Sequence, residues 1–160
     1  MLDNIKVDHG NIGKYLKDKS PYIFVDVADV KPGVSARGKK LFATNEWFFA
    51  CHFPNNPLVP AVFQLEAIMQ TAALCIYTIN DKDIDFVYAQ KCTNFDVKQP
   101  VFPGEILLTE VKIDSFKRGV IKASGEAYVK KDNECLLSCR AEFQMIVPGV
   151  INRYSPKRGD

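Results

Sequence analysis

The stretch Phe48 to Gln70 reads F-F-A-C-H-F-P-N-N-P-L-V-P-A-V-F-Q-L-E-A-I-M-Q, and its reading decides the fold. Pro54, Pro57 and Pro60 keep its first half out of regular helix, because each fixes φ and biases the residue before it towards extended geometry. Proline is tolerated in a first helical turn, where its missing N–H would have had no partner, so a helix is expected from about Pro60 to about Ile79, ahead of Asn80-Asp81. Its residues are apolar on nearly every side, as in a helix buried in a core or a bilayer. Glu66 lies in mid-helix, and a carboxylate there would cost roughly 2.5–3.5 kcal/mol in lipid, which favours a soluble core. Glu66 and Gln70 are four apart and share one face.

Outward from the helix, the chain reads as strands on both sides. Tyr22 to Val30 alternates from Phe24 onward and ends at the turn pair Pro32-Gly33, and Val34 to Thr44 continues extended. Beyond the helix come Phe86 to Val97, then Ile106 to Phe116, Val120 to Lys130 and Cys135 to Val147, with hairpin turns at Arg118-Gly119 and Asp132-Asn133. Slips in the alternation predict bulged or strongly curved strands. A short helix over Asn11 to Lys17, capped by Asn11, is a further expectation. Strands, one long buried helix and more strands give an α+β class, an antiparallel sheet covering the helix.

The chain has 160 residues and a net charge of +2, with acids and bases interspersed. One domain over residues 1–150 and a C-terminal tail over 151–160 are expected; Arg153, Lys157 and Arg158 give that tail a basic bias that a solvated terminus explains as well as docking does. Neither a nucleic-acid nor a membrane signature is present. Five cysteines without a C-x-x-C pair fit reduced thiols, and the N-terminus lacks the apolar run of a signal peptide, so a cytoplasmic location is expected.

The central stretch resembles the (3R)-hydroxyacyl-acyl carrier protein dehydratases, hot-dog fold enzymes whose signature is G-H-F-P-x-x-P-x-x-P-G-x-x-x-x-E-x-x-x-Q. Cys51, His52, Phe53, Pro54, Pro57, Pro60, Ala61, Glu66 and Gln70 occupy those places. Flanking pieces agree: S-P-Y-I-F-V-D at Ser20 to Asp26, N-E-W-F-F at Asn45 to Phe49 and P-V-F-P-G-E at Pro100 to Glu105. The resemblance implies a long central helix wrapped by a curved sheet. It implies His52 as catalytic base, with Glu66 as its acidic partner from the other subunit of a side-by-side homodimer, or of a trimer of such dimers. The implied partner is an acyl carrier protein presenting a 3-hydroxyacyl-phosphopantetheine thioester; no metal or cofactor is implied.

The residue types suit that chemistry. Histidine ordinarily titrates near neutrality and can take the C2 proton. Glu66, desolvated in an apolar helix, is expected to hold a proton for the departing C3 hydroxyl. The leading amides of the helix, at Ala61 and Val62, are candidate donors to the thioester oxygen, where losing one donor typically costs about 10²–10³ in rate. Phe53, Phe63 and Gln70 complete the candidate substrate contacts, and Phe48, Phe49, Phe53 and Phe63 either line an acyl tunnel or fill the core. On the residues alone, without the resemblance, His52 reads more readily as a hydrogen-bonded structural histidine than as a base. Cys51 is not expected to work with His52, since neighbours in extended chain point apart.

Departures from the pattern point to a restricted set of acyl chains. Cys51 and Ala61 replace two glycines, Trp47 replaces a proline, and Asp18-Lys19-Ser20 replaces a His-Arg-aromatic mouth. Lys19, Lys39, Lys40, Lys91 and Lys98 are the pool for a basic rim facing an acidic carrier. The competing functions are a hot-dog thioesterase on acyl-carrier or acyl-CoA substrates and a non-catalytic subunit that binds acyl carriers.

Overall fold

In the computed structural model, residues 3–154 are described. The central helix α2 spans Ala61–Tyr77, one residue later than expected, because Pro60 is itself extended (ψ 134°) and acts as the cap, its carbonyl accepting from the N–H groups of Phe63 and Gln64. Thr78 closes the other end by returning its N–H and its hydroxyl to the carbonyl of Leu74. Every residue from Ala67 to Ile76 is buried. The first turns are not: Val62 is 62% exposed, so the all-round burial expected of this helix fails at its leading end.

Seven antiparallel strands surround α2 among the described residues: β1 (Ile5–Val7), β2 (Val27–Lys31), β3 (Ser35–Leu41), β4 (Tyr88–Val97), β5 (Ile106–Lys117), β6 (Val120–Lys131) and β7 (Glu134–Ile146). They form one sheet in the order β1-β2-β3-β5-β6-β7-β4, with α2 packed mainly on β3, β5 and β6. This is the hot-dog arrangement. The expected slips are register shifts between Ile113 and Ser115 in β5 and between Ala127 and Tyr128 in β6, which let the sheet bend around the helix. Two glycines allow the close approach. A Cβ on Gly38 would lie 2.5 Å from Thr109 Oγ1 and 2.6 Å from Thr71 Oγ1, and one on Gly125 would lie 2.4 Å from Ile68 Cγ2.

Several expectations are corrected. Of the Tyr22 to Val30 run only the part from Val27 on is strand, in β2 (Val27–Lys31); the N–H of Phe24 and the carbonyl of Tyr22 are bonded by the side chain of Gln70, which takes the place of a strand partner. The first helix, α1, shrinks to Ile12–Tyr15, and the Asn11 side chain bonds Asp8 and Lys6 instead of capping it. A 3₁₀ turn at Trp47–Ala50 precedes His52. A last helix, α3 (Pro148–Tyr154), spans the boundary expected at residue 150. Its Arg153 pairs with Asp81 and Asp83 on the α2–β4 connection, so it is not a frayed cation; Pro156, Lys157 and Arg158 lie outside the described residues.

Strand β4 is an open edge: Tyr88 through Asn94 are all exposed, as is Val97. All five cysteines are free, and no described helix is long and apolar enough to cross a membrane.

Candidate active site

His52 stands on an irregular loop that the backbone ties down. Its N–H donates to Phe48 O (2.8 Å), and its carbonyl accepts from the Leu58 N–H (3.0 Å). Its Nδ1 lies 3.1 Å from Leu58 O. A carbonyl can only accept, so Nδ1 carries a proton, and in the neutral ring it is Nε2 that holds the lone pair. Phe53 stacks on the imidazole at 4.2 Å while remaining 52% exposed, which rules it out as core filling. The Cys51 thiol bonds Phe48 O and not His52. Asn55-Asn56 forms the expected turn, Asn56 N–H donating to Phe53 O.

Glu66 is positioned by side chains. Gln70 Nε2 donates to Glu66 Oε1 at 3.0 Å, and Gln70 is itself fixed by Tyr22 O and the Phe24 N–H. Burial pushes the Glu66 carboxyl above the usual carboxylate range and the charge of Asp18 adds to this, while hydrogen bonds from Gln70 and Tyr22 work the other way. Glu66 and Gln70 line a cavity of about 180 Å³ between α2 and the edge strand, with Asp18, Met69, Tyr77 and Met145 among the other walls. His52 does not line it, and within one chain no hydrogen bond joins His52 to Glu66. A larger depression of about 850 Å³ crosses the outer face of β4 to β7 and contains none of the candidate residues.

At the head of α2, the Val59 N–H is taken by Val101 O and those of Phe63 and Gln64 by Pro60 O, whereas the Ala61 and Val62 N–H groups have no acceptor among the described residues. They remain available to an incoming oxygen. Phe63 is half-buried, stacked on Phe24 at 4.8 Å and against Phe48 at 5.1 Å, so it joins an aromatic wall behind the amides. Phe48 and Phe49 are buried and belong to the core. Of the five rim lysines, Lys40 is committed to Asp26 and Glu46 and Lys98 to Asp96; Lys19, Lys39 and Lys91 are exposed and outside the ion pairs of the described residues. No cluster of metal-ligating side chains occurs among those residues.

Against known protein families, residues 24–139 match the FabA-like domain. The chain belongs to the FabA-like family. Similar FabA-like sequences include the proteins named 3-hydroxyacyl-[acyl-carrier-protein] dehydratase FabZ from Alkaliphilus metalliredigens, 32% identical over 93% of this chain and 97% of that one. Another, of the same name, comes from Caldanaerobacter subterraneus, 35% identical over 88% and 98%. Among solved structures, the dehydratase heterocomplex ApeI:P from Xenorhabdus doucetiae superposes with a TM-score of 0.56 at 17% identity, over 71% of this chain and 88% of that one. The acyl-CoA hydrolase of Staphylococcus aureus gives 0.55 at 10% identity, over 74% and 68%. At such identities these two establish the shared fold alone.

In the FabA-like fold, residues absent from the sequence-based candidates also meet Glu66. Tyr22 meets Glu66 through its phenol and holds Gln70 through its backbone carbonyl, and no side-chain pattern announces the second contact. Tyr77 was visible only as one more apolar position on the helix. Asp18 had a signal, as a departure at the mouth, but nothing in the sequence placed it in the same cavity as Glu66.

Proposed function

We propose that this FabA-like chain removes water from a (3R)-3-hydroxyacyl thioester on the phosphopantetheine arm of an acyl carrier protein, giving the trans-2-enoyl thioester. The carrying observation is Glu66: a carboxyl held by Gln70 on a cavity wall, in surroundings that favour its protonated form. A half-buried acid held by a partner beside open space is poorly explained by packing alone, because a residue that only filled the core would not need a charge-bearing group there. The names borne by the FabZ relatives support the same chemistry and the same carrier.

His52 Nε2 takes the C2 proton, the C2–H electron pair becomes the C2=C3 double bond, and the C3 hydroxyl departs with the proton of Glu66 as water. Negative charge that gathers on the thioester oxygen meanwhile is met by the Ala61 and Val62 amides. The proton left on His52 then returns to Glu66 through solvent, which resets the pair. Phe53 and Phe63 flank the acyl chain, and Gln70 keeps Glu66 aimed at it.

His52 and Glu66 serve different spaces in one chain, so the pair is completed by a second copy, His52 of one protomer working with Glu66 of its partner. The unpaired β4 edge supports this, since a strand with free N–H and C=O groups and an exposed Tyr88 and Val97 is a template for pairing with another chain. The expected setting is the cytoplasm.

The test is a 3-hydroxybutyryl carrier thioester, followed by enoyl absorbance and by free thiol. Enoyl formation without thiol release is expected. His52→Ala and Glu66→Gln should each lower the rate by about 10²–10⁴ with the melting transition intact. Thiol release without enoyl product would make the chain a thioesterase; full activity in both variants would end the assignment of the pair.

A further inference from the structure

We propose that Asp18 is a positioning residue for the reaction, a second carboxylate on the Glu66 cavity whose negative charge keeps the proton on Glu66 until the hydroxyl leaves. This rests on the dehydratase reading above and names a residue that reading does not use.

The geometry is simple. Asp18 follows the buried Leu16, which anchors the segment after α1 against the core, and it lines the same 180 Å³ cavity as Glu66. The other ionisable groups that this chain places on that cavity are the phenols of Tyr77 and Tyr88, with no lysine, arginine or histidine of the same chain; the dimer proposed above adds His52 of the partner subunit. The adjacent cation of the same chain, Lys17, lies over the ring of Tyr77 at 5.5 Å and makes no ion pair with Asp18 or Glu66. Asp18 has no ion pair among the described residues. Two carboxyls lining one small cavity, with no cation paired to either, do not both ionise cheaply, which favours a proton on one of them.

The groups around Glu66 show why a helper is needed. From its own helix Gln70 donates to it, and from the segment before β2 Tyr22 does the same; both favour the anion. β4 adds only Tyr88 as an ionisable group on the cavity, and β7 adds the apolar Met145. Burial and Asp18 are the influences that favour the acid. Burial raises the Tyr22 and Tyr77 phenols first of all, and the charge of Asp18 adds to both. Without Asp18, burial alone would oppose two hydrogen bonds that the site needs for aim.

The experiment uses the full chain with Asp18→Asn and Asp18→Glu. One readout is the ¹³C NMR titration of the Glu66 side-chain carboxyl, assigned by its loss in Glu66→Gln; the other is the pH profile of kcat/KM on the hydroxybutyryl thioester. In Asp18→Asn the Glu66 midpoint should fall and the alkaline limb of the profile should move to lower pH with it, at unchanged KM, while Asp18→Glu keeps both near wild type. An unmoved midpoint in Asp18→Asn, or a loss of rate equal at every pH, would overturn the proposal. The two failures are distinguishable: a fully active Glu66→Gln would defeat the catalytic reading and this proposal with it, whereas a Glu66 midpoint unmoved in Asp18→Asn, with Glu66→Gln inactive, would defeat this proposal alone.

Discussion

Helix α2 carries two polar stations on different faces, and they solve opposite problems. At Thr71 the hydroxyl donates to Ala67 O (2.7 Å) and lies 2.8 Å from the hydroxyl of Thr109; its single proton being spent, Thr109 must be the donor. Both threonines are fully or almost fully buried, and the space around them is closed by Gly38. At Glu66 and Gln70 the hydrogen bonds are equally specific, yet one side faces a cavity. A satisfied polar pair in closed packing stabilises the fold; a satisfied polar pair with room beside it is available to a substrate.

The sharpest way to break this comparison is to exchange effects between the stations. Glu66→Gln keeps an Oε1 for Gln70 and should cost about 10²–10⁴ in turnover while leaving the fold intact. Thr109→Val should do the reverse, leaving turnover near wild type and costing about 0.5–1.5 kcal/mol in a denaturant melt. If Thr109→Val damaged turnover as Glu66→Gln does, the distinction between closed and open stations would be lost.

Gln70→Leu probes the link between site and scaffold. It removes the acceptor of the buried Phe24 N–H as well as the donor to Glu66, so stability should fall by about 1–3 kcal/mol, with a rate loss smaller than that of Glu66→Gln. Urea titration together with steady-state kinetics checks both. Gly38→Ala tests the closed station alone. Its Cβ would collide with two threonine hydroxyls held by hydrogen bonds, and a cost of about 1–3 kcal/mol is expected at unchanged KM.

How much of this was legible beforehand follows from the range of the forces involved. Local ones were readable: the prolines stopped helix before Ala61, Arg118-Gly119 turned the chain with φ values of 50° and 82°, and the slipped alternation in β5 became a bulge. The shared face of Glu66 and Gln70 was likewise a matter of spacing. What escaped was made by contacts distant in sequence. Gln70 claims the backbone of Tyr22 and Phe24 across 48 and 46 residues, and this turned an apparent strand into an irregular segment. Arg153 reaches back 72 residues to Asp81, which ordered an expected tail. Charge composition offered five rim lysines as equals, and only the fold showed that Lys40 and Lys98 are already paired.

The smallest effect expected is on stability as a function of pH, and it separates the stations without any substrate. Burial and Asp18 raise the proton affinity of Glu66 in the folded chain above that of an unfolded glutamate. The folded state then binds the proton more tightly, so stability is fullest below the ordinary glutamate pKa of about 4.3 and is lost as pH rises through the folded value. Glutamine at position 66 cannot ionise and carries no such penalty. The melting temperature of Glu66→Gln should therefore exceed that of wild type at neutral pH, and the two curves should converge on acidification. The Thr109→Val curve should run parallel to wild type throughout, because no proton is exchanged at that station. Parallel curves for Glu66→Gln would mean that the carboxyl is solvated after all, and the cavity would lose its claim to be different from the closed station at Thr71.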